Sequence, residues 1–291
     1  MKRSLYNMMI IVYFIALVLT GLAAGVVGSM SGLGGGLIVI PALTLLFGIP
    51  LEYAAGASLV ATIATSSGAA SAYVKEKITN VRIGMSLEVA TTLGAIAGSL
   101  LAAYIYAHGV ERVLFVLFGI VMFLSLYPSV REFRKARLRK MNRDWSTDFF
   151  QLYGKYYDKA KREEIKYSGC NWPLGEAIMG IAGIMSGLLG IGSGVLKVMG
   201  MDFGMKLPVK VTTTTSNFMI GVTAATGSAV YWALGYIQPF VVAPIVAGIL
   251  IGAYFGSKLL QKAKGKSIRM LFITMLCVIG IEMIFRGLGV A

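Results

Sequence analysis

Long apolar runs separated by short polar ones dominate the chain. Eight runs have the length of helical membrane spans: 6–29, 51–74, 83–107, 110–130, 174–190, 208–234, 239–262 and 268–288. At a rise of about 1.5 Å per residue, about 20 residues cross a hydrocarbon core of about 30 Å. Two shorter apolar segments, 33–48 and 193–204, each follow a knot of glycine, SGLGGGLIVIP at 31–41 and GLLGIGSGVLK at 187–197. The pattern predicts an all-α polytopic membrane protein with about eight long transmembrane helices and two short helices after the glycine-rich breaks.

The pattern also repeats. A shift of 158 residues lays 32–102 on 190–260 without a gap. Gly32, Gly34 and Gly36 fall on Gly190, Gly192 and Gly194, and Pro50 falls on Pro208. Ser58, Thr65 and Tyr73 fall on Ser216, Thr223 and Tyr231, and Gly94 and Gly98 on Gly252 and Gly256. The chain therefore reads as a first transmembrane repeat, 1–130, a charged linker, 131–172, and a second transmembrane repeat, 173–291. Gly94/Gly98 and Gly252/Gly256 have the spacing of close-packing helix faces.

Charge orients these spans. Of 27 Lys and Arg, twelve lie in 131–172 and five in 258–269, while loop 75–82 carries Lys75, Lys77 and Arg82. Basic loops face the cytoplasm, so these three are expected inside, and the nearly uncharged connections near 108–112 and 235–238 outside. With 131–172 inside, loop 258–269 falls inside only if 193–204 adds a crossing or its equivalent. An odd number of crossings inverts the second half against the first, a common build for secondary transporters. Lys2 and Arg3 pull the N-terminus the other way, which leaves 33–48 either crossing fully or re-entrant. The net charge of +14 is thus explained by loops beside a lipid bilayer, and a nucleic-acid partner is not expected. The start, MKRSLYNMMIIVYFIALVLTGLAAG, imitates a secretory signal. It is read as a retained span, because GEAIMGIAGIMSG plays the same part before the second knot. The expected location is the cell (plasma) membrane, multi-pass.

Candidate chemistry is sparse. Cys170 and Cys277 form no CxxC pair, and His108 is the only histidine. No metal site, no cofactor and no enzymatic constellation at membrane depth is expected. The glycines sit in no strand–turn–helix unit and no Walker lysine follows, so a nucleotide site is not read either.

The knots stand out instead. A continuous helix through GLGGG (Gly32, Gly34, Gly35, Gly36) or GIGSG (Gly190, Gly192, Ser193, Gly194) loses about 1 kcal/mol per glycine relative to alanine. A break that starts a new short helix leaves unpaired N–H groups and a positive dipole end, which suit an anion. A tight packing bend is the competing reading. Hydroxyl clusters follow each knot: Ser58, Thr62, Thr65, Ser66, Ser67 and Ser71 in the first half, and Thr212 to Thr215, Ser216, Asn217, Thr223 and Thr226 in the second. They can donate to an oxyanion, or simply to their own helix carbonyls. Lys197, three residues past the second knot, can pair with an anion or snorkel to an interface; its counterpart is Val39. Glu88 and Arg82 are coupling candidates: Glu88 can carry a proton, pair with a cation such as Arg82, or sit in the interface. Asp202, Glu176 and Glu282 read as interfacial, and Tyr73 and Tyr231 as aromatic-belt residues.

The paired knots, the Ser58 and Thr215-Ser216 positions after Pro50 and Pro208, and the half-to-half repeat resemble the sulfite exporter TauE/SafE-like family of membrane anion permeases. The resemblance covers the chain outside the linker. The departure is Ser193, which stands where the knot's middle glycine belongs. The resemblance implies transport of small sulfur-containing anions: sulfite, thiosulfate or organosulfonates such as sulfoacetate. The expected substrate site is Gly32, Gly34, Gly35, Gly36, Ser58, Thr62, Ser66, Gly190, Gly192, Ser193, Gly194, Lys197, Thr215, Ser216 and Asn217. The expected mechanism is alternating access coupled to an ion gradient, with protons as the candidate coupling ion. An anion channel, or a transporter of another small anion, is the alternative.

Overall fold

The computed structural model describes residues 2–31, 34–75, 78–131, 144–158, 162–262 and 265–289. In chain order the first half forms α1 (Lys2–Ser31), α2 (Gly36–Pro41), α3 (Leu51–Lys75), α4 (Val81–Ala107) and α5 (Arg112–Arg131). The linker forms α6 (Trp145–Phe149) and strands β1 (Tyr153–Asp158) and β2 (Glu163–Ser168). The second half forms α7 (Trp172–Leu189), α8 (Gly194–Met199), α9 (Val209–Ala233), α10 (Pro239–Lys262) and α11 (Gly265–Leu288). The short helices α2 and α8 each run on into a π-helical turn, Ala42–Leu46 and Gly200–Gly204.

The protein is mostly helical, and the long helices begin and end close to the apolar runs. Among the described residues four stretches are long and apolar enough to cross a membrane: Met8–Ser29, Val81–Ala107, Trp172–Leu189 and Pro239–Gly256. The hydroxyl clusters lower the hydropathy of α3 and α9, which nonetheless run 25 residues each.

Small residues set how the helices pair. α1 lies along α10, and α4 along α7. A Cβ added to Gly94 or Gly98 would strike the carbonyl oxygen of Gly180 or Ile184 on α7, and one on Gly252 or Gly256 that of Leu22 or Val26 on α1. Both GxxxG faces are therefore backbone-to-backbone contacts. α3 and α9 cross at the centre and run in opposite directions: Gly56 near the start of α3 meets Tyr236 just past the end of α9, while Ser66 reaches back to Asn217. α5 and α11 are also antiparallel, with Gly287 at Val116 and Gly119 at Ile284.

The segment after the second knot does not cross alone. Residues 194–204 rise about 16 Å, about half a hydrocarbon core. They turn back along α7: the Cys170 N–H, just before α7, donates to the Met205 carbonyl at 3.1 Å. α9 thus leaves from the end at which α7 began. The first half makes a similar return, bringing Phe47 against Tyr13 of α1 with ring centroids 5.5 Å apart. Both short segments thus double back beside the helix that precedes them.

The linker holds more than charge. β1 and β2 form an antiparallel hairpin, with Tyr156 opposite Ile165 and Tyr153 opposite Ser168. Its apolar face, Leu152, Tyr156 and Tyr167, packs with Ile83 and Leu87 of α4, Met205 and Leu207. Polar ties fix the same end: Asn80 Nδ2 donates to Tyr167 OH at 3.0 Å, and the Asn80 side chain caps α4 by accepting from Ile83 N at 3.1 Å. Arg82 donates to Gln151 of the linker. Asp144 starts α6 with a capping box closed by Thr147 and also accepts from Asn171 N at 2.6 Å. Burial alone would raise the Asp144 pKa; donation from Ser146, Asn171 and Thr147 outweighs it and holds the carboxyl at about 2.

Candidate functional site

Both knots break as the glycines require. Gly34, Gly190 and Gly192 hold φ of +83°, +70° and +73°, and Ser193 holds +49°. Positive φ is natural for glycine and strained for a residue with a Cβ; Ser193 carries that strain at the start of α8. The tight approach decides the rest. A Cβ on Gly36 would lie 2.5 Å from Ser58 Oγ and 2.6 Å from Thr62 Oγ1, and one on Gly192 would lie 2.7 Å from Ile220 and 2.8 Å from Thr62. Gly35 is closed off in the same way by Thr65 Oγ1 at 2.8 Å.

Thr62 and Ile220 occupy the same repeat position and sit at mid-length of the 25-residue helices α3 and α9. Both flank Gly34 and Gly192. The two breaks therefore meet at the midpoint of the central helix pair. Gly32 lies outside the described residues.

The hydroxyls divide by how their protons are used. Ser58 Oγ donates to the Gly190 carbonyl at 2.7 Å, from one half to the other. Ser216 Oγ donates to the Gly194 carbonyl at 3.1 Å, and Ser66 Oγ to the Asn217 carbonyl at 2.5 Å. The first two brace the second knot, and the third ties α3 to α9. Thr65 donates to its own helix at Ala61, 2.9 Å away. Thr215 is not brought to the knots: its Oγ1 accepts from Asn80 N at 3.1 Å and anchors the loop before α4. Three donors remain. Thr62 Oγ1, Ser193 Oγ and Asn217 Nδ2 have no hydrogen-bond partner, and their residues are 0%, 1% and 2% exposed. A buried donor left unsatisfied costs about 1–3 kcal/mol, and such groups are rare in folded proteins.

Lys197 is fully buried, so it does not snorkel. Its Nζ donates to Thr223 Oγ1, which donates to Glu88 Oε1 at 2.5 Å. Nζ lies 3.7 Å from Glu88 Oε2. Glu88 is 4% exposed and pairs with Lys197 rather than with Arg82, whose partner is the linker. The Lys197 backbone lies one turn from Ser193, whose carbonyl accepts from Lys197 N at 3.2 Å. Under the repeat shift Lys197, Thr223 and Glu88 correspond to Val39, Thr65 and Val246. Val39 and Val246 sit in an apolar cluster, so the polar triad exists on one side of the repeat only.

The Glu88–Lys197 pairing is the buried contact that sequence reasoning missed; the apolar Val246 at the shifted position was the available signal. Tyr231 is no belt residue: it is fully buried and its OH donates to the Gly187 carbonyl at 3.1 Å. Asp202 is buried as well. Glu176 and Glu282 are half-buried. The side chain of Tyr73, like those in 258–269, lies outside the described residues. Among the described residues no three His, Cys, Asp or Glu stand together as a metal site.

Residues 17–283 match the family described as Sulfite exporter TauE/SafE. The chain is similar to the probable membrane transporter protein YunE of Bacillus subtilis, 29% identical over 94% of this chain and 98% of that one. It is similar to the probable membrane transporter protein YdhB of the same organism, 25% identical over 80% and 85%. A third relative, the probable membrane transporter protein MJ0441 of Methanocaldococcus jannaschii, is 24% identical over 92% and 94%. No solved structure matches the chain.

Proposed function

Because this chain belongs to the Sulfite exporter TauE/SafE family of membrane proteins, we propose that it is a secondary transporter of a small sulfur-containing anion. The candidates are sulfite, thiosulfate and organosulfonates such as sulfoacetate. The observation that carries the proposal is the set of buried, unpartnered donors, Thr62, Ser193 and Asn217, beside two glycine breaks that meet at mid-helix. An oxyanion takes up hydrogen bonds that nothing in the protein accepts, and the buried ammonium of Lys197, four residues past Ser193 on α8, adds attraction. Two of these donors belong to or face the breaks: Ser193 lies in the second knot, and Thr62 stands beside Gly34, Gly36 and Gly192.

The halves are read as inverted-topology repeats. The antiparallel run of α3 against α9 and the matched returns after each knot support that reading. In such folds discontinuous helices hold the substrate near the midplane while one half rocks against the other. Gly34 and Gly192 let the two re-entrant segments approach closely enough to share one site. The protein acts in the cell membrane, with the linker end cytoplasmic, and draws its energy from an ion gradient.

Purified protein in liposomes, tested for flux of labelled sulfite, sulfoacetate, thiosulfate and sulfate with and without a proton gradient, examines this directly. Saturable movement of at least one of the sulfur anions is expected. If none moves or competes, the sulfur-anion reading fails.

A further inference from the structure

The buried Glu88–Thr223–Lys197 triad joins the two halves at one point: Glu88 comes from α4, and Lys197 and Thr223 from α8 and α9. A buried ion pair is weak support for stability, because desolvation offsets attraction. The chain itself contains the apolar alternative, Val39 and Val246, at the shifted positions and packed in an apolar cluster. The charged version is therefore not required by the fold.

We propose that this triad is the coupling site, at which the transported anion and Glu88 compete for the Lys197 ammonium and the displaced Glu88 carboxylate takes up a proton. The inference rests on the anion reading above and adds what is coupled and where.

Two details fit an exchange of partners. Glu88 Oε2 accepts no hydrogen bond, and its distance to Nζ, 3.7 Å, is that of a loose ion pair. Thr223 has a single hydroxyl proton and two acceptors in reach, Glu88 Oε1 at 2.5 Å and the Met219 carbonyl at 3.0 Å. It can turn to Met219 when Glu88 becomes neutral. One proton balances the charge of a monoanion in each half-cycle, and a dianion carries one net negative charge across with it. The anion pairs with the ammonium, one proton from water joins the carboxylate, and both leave together on the other side as the Glu88–Lys197 pair re-forms. No covalent bond other than the carboxyl O–H forms or breaks. One triad per chain gives one proton per anion.

Other groups face Glu88 as well. α4 packs against α7 and α9. α7 contributes Glu176, which interacts electrostatically with Glu88 and whose Oε1 accepts from Ala90 N at 3.2 Å. α9 contributes Thr223, and Thr91 lies one turn on along α4 itself. Glu176 is a competing carboxylate beside Glu88 and must be separated experimentally.

Liposomes are loaded with labelled thiosulfate or sulfoacetate, neither of which takes up a proton near neutral pH. Two readouts are taken from the same preparation: anion-for-anion exchange, and accumulation driven by an imposed proton gradient, with internal pH followed by an entrapped dye. Wild type is expected to exchange, to accumulate, and to move one proton with each anion. Glu88→Gln is expected to lose accumulation and proton movement while a measurable exchange persists; Glu176→Gln is expected to keep accumulation. Should Glu88→Gln not fold, Glu88→Val with Lys197→Val copies the apolar arrangement of the other half and is expected to show no proton-driven accumulation. Accumulation by either of these variants at the wild-type level overturns the proposal, as does its loss in Glu176→Gln with retention in Glu88→Gln. Wild-type exchange that ignores the proton gradient overturns the coupling and leaves the anion site standing; no exchange of either anion by wild type sinks the anion reading and the coupling with it.

Discussion

Thr62 illustrates how a residue can be poorly placed for stability and well placed for function. Its hydroxyl is buried at mid-helix without a partner, so Thr62→Val removes an unsatisfied group and keeps the shape. Thermal unfolding is expected to be unchanged or slightly raised, while anion affinity falls about tenfold, the equivalent of one lost hydrogen bond of about 1.4 kcal/mol. Lys197 is the opposite case. Lys197→Met leaves Glu88 buried without its cation and is expected to destabilise by about 3–5 kcal/mol; adding Glu88→Val is expected to recover most of it, read by thermal unfolding in detergent. Sequence singled out Lys197 and the Thr62 region, because a lysine and clustered hydroxyls are unusual in apolar runs. It did not pair Lys197 with Glu88, because that contact depends on how α4 lies across α8 and α9. The aromatic-belt role given to Tyr231 failed for the same reason, since a tyrosine's depth is set by its neighbours.

The long helices were the most legible elements, since each is an apolar run bounded by polar or glycine residues. The two glycine breaks were equally plain. The hairpin was not, because six-residue strands such as YGKYYD and EEIKYS sit inside a basic stretch whose charge dominates the pattern. Its attachment gives a pH prediction. Asp144 has a folded pKa of about 2 against an ordinary 3.8. A depressed acid contributes stability that is fully present above its ordinary value and is lost as pH falls through the folded one. Docking of α6 and the hairpin is therefore expected to weaken between about pH 4 and pH 2. Trp172, stacked on Phe150 with ring centroids 4.3 Å apart, reports it once Trp145 and Trp232 are replaced by Phe. Asp144→Ala should remove the transition and loosen the docking already at neutral pH, by about 1 kcal/mol for a lost helix cap. An unchanged transition in that variant assigns it to another group.

At the scale of the whole molecule, the proposed topology sets two ends of the fold apart. The linker end collects Asn80, Arg82, the hairpin and the start of α9. The opposite end collects Tyr53 and Tyr106, whose rings stand 6.0 and 5.7 Å from that of Tyr236. Gln238→Cys and Lys258→Cys, one at each end of α10, are expected to label with an impermeant thiol reagent from opposite faces of the membrane, the first outside and the second inside. Labelling from the same face contradicts the arrangement. Glycine spacing placed both breaks correctly; the return of the segments after them was not readable, because hydropathy does not distinguish a short span from a segment that turns back. What remains is the claim that joins these scales, that an oxyanion occupies the meeting point of the two breaks. It is tested most directly by exchange of radiolabelled sulfite in liposomes containing wild type or Thr62→Val, each shown to be equally stable. Saturable exchange by wild type, with half-saturation moved to clearly higher sulfite in Thr62→Val, is predicted; indistinguishable curves, or no exchange by wild type, contradict it.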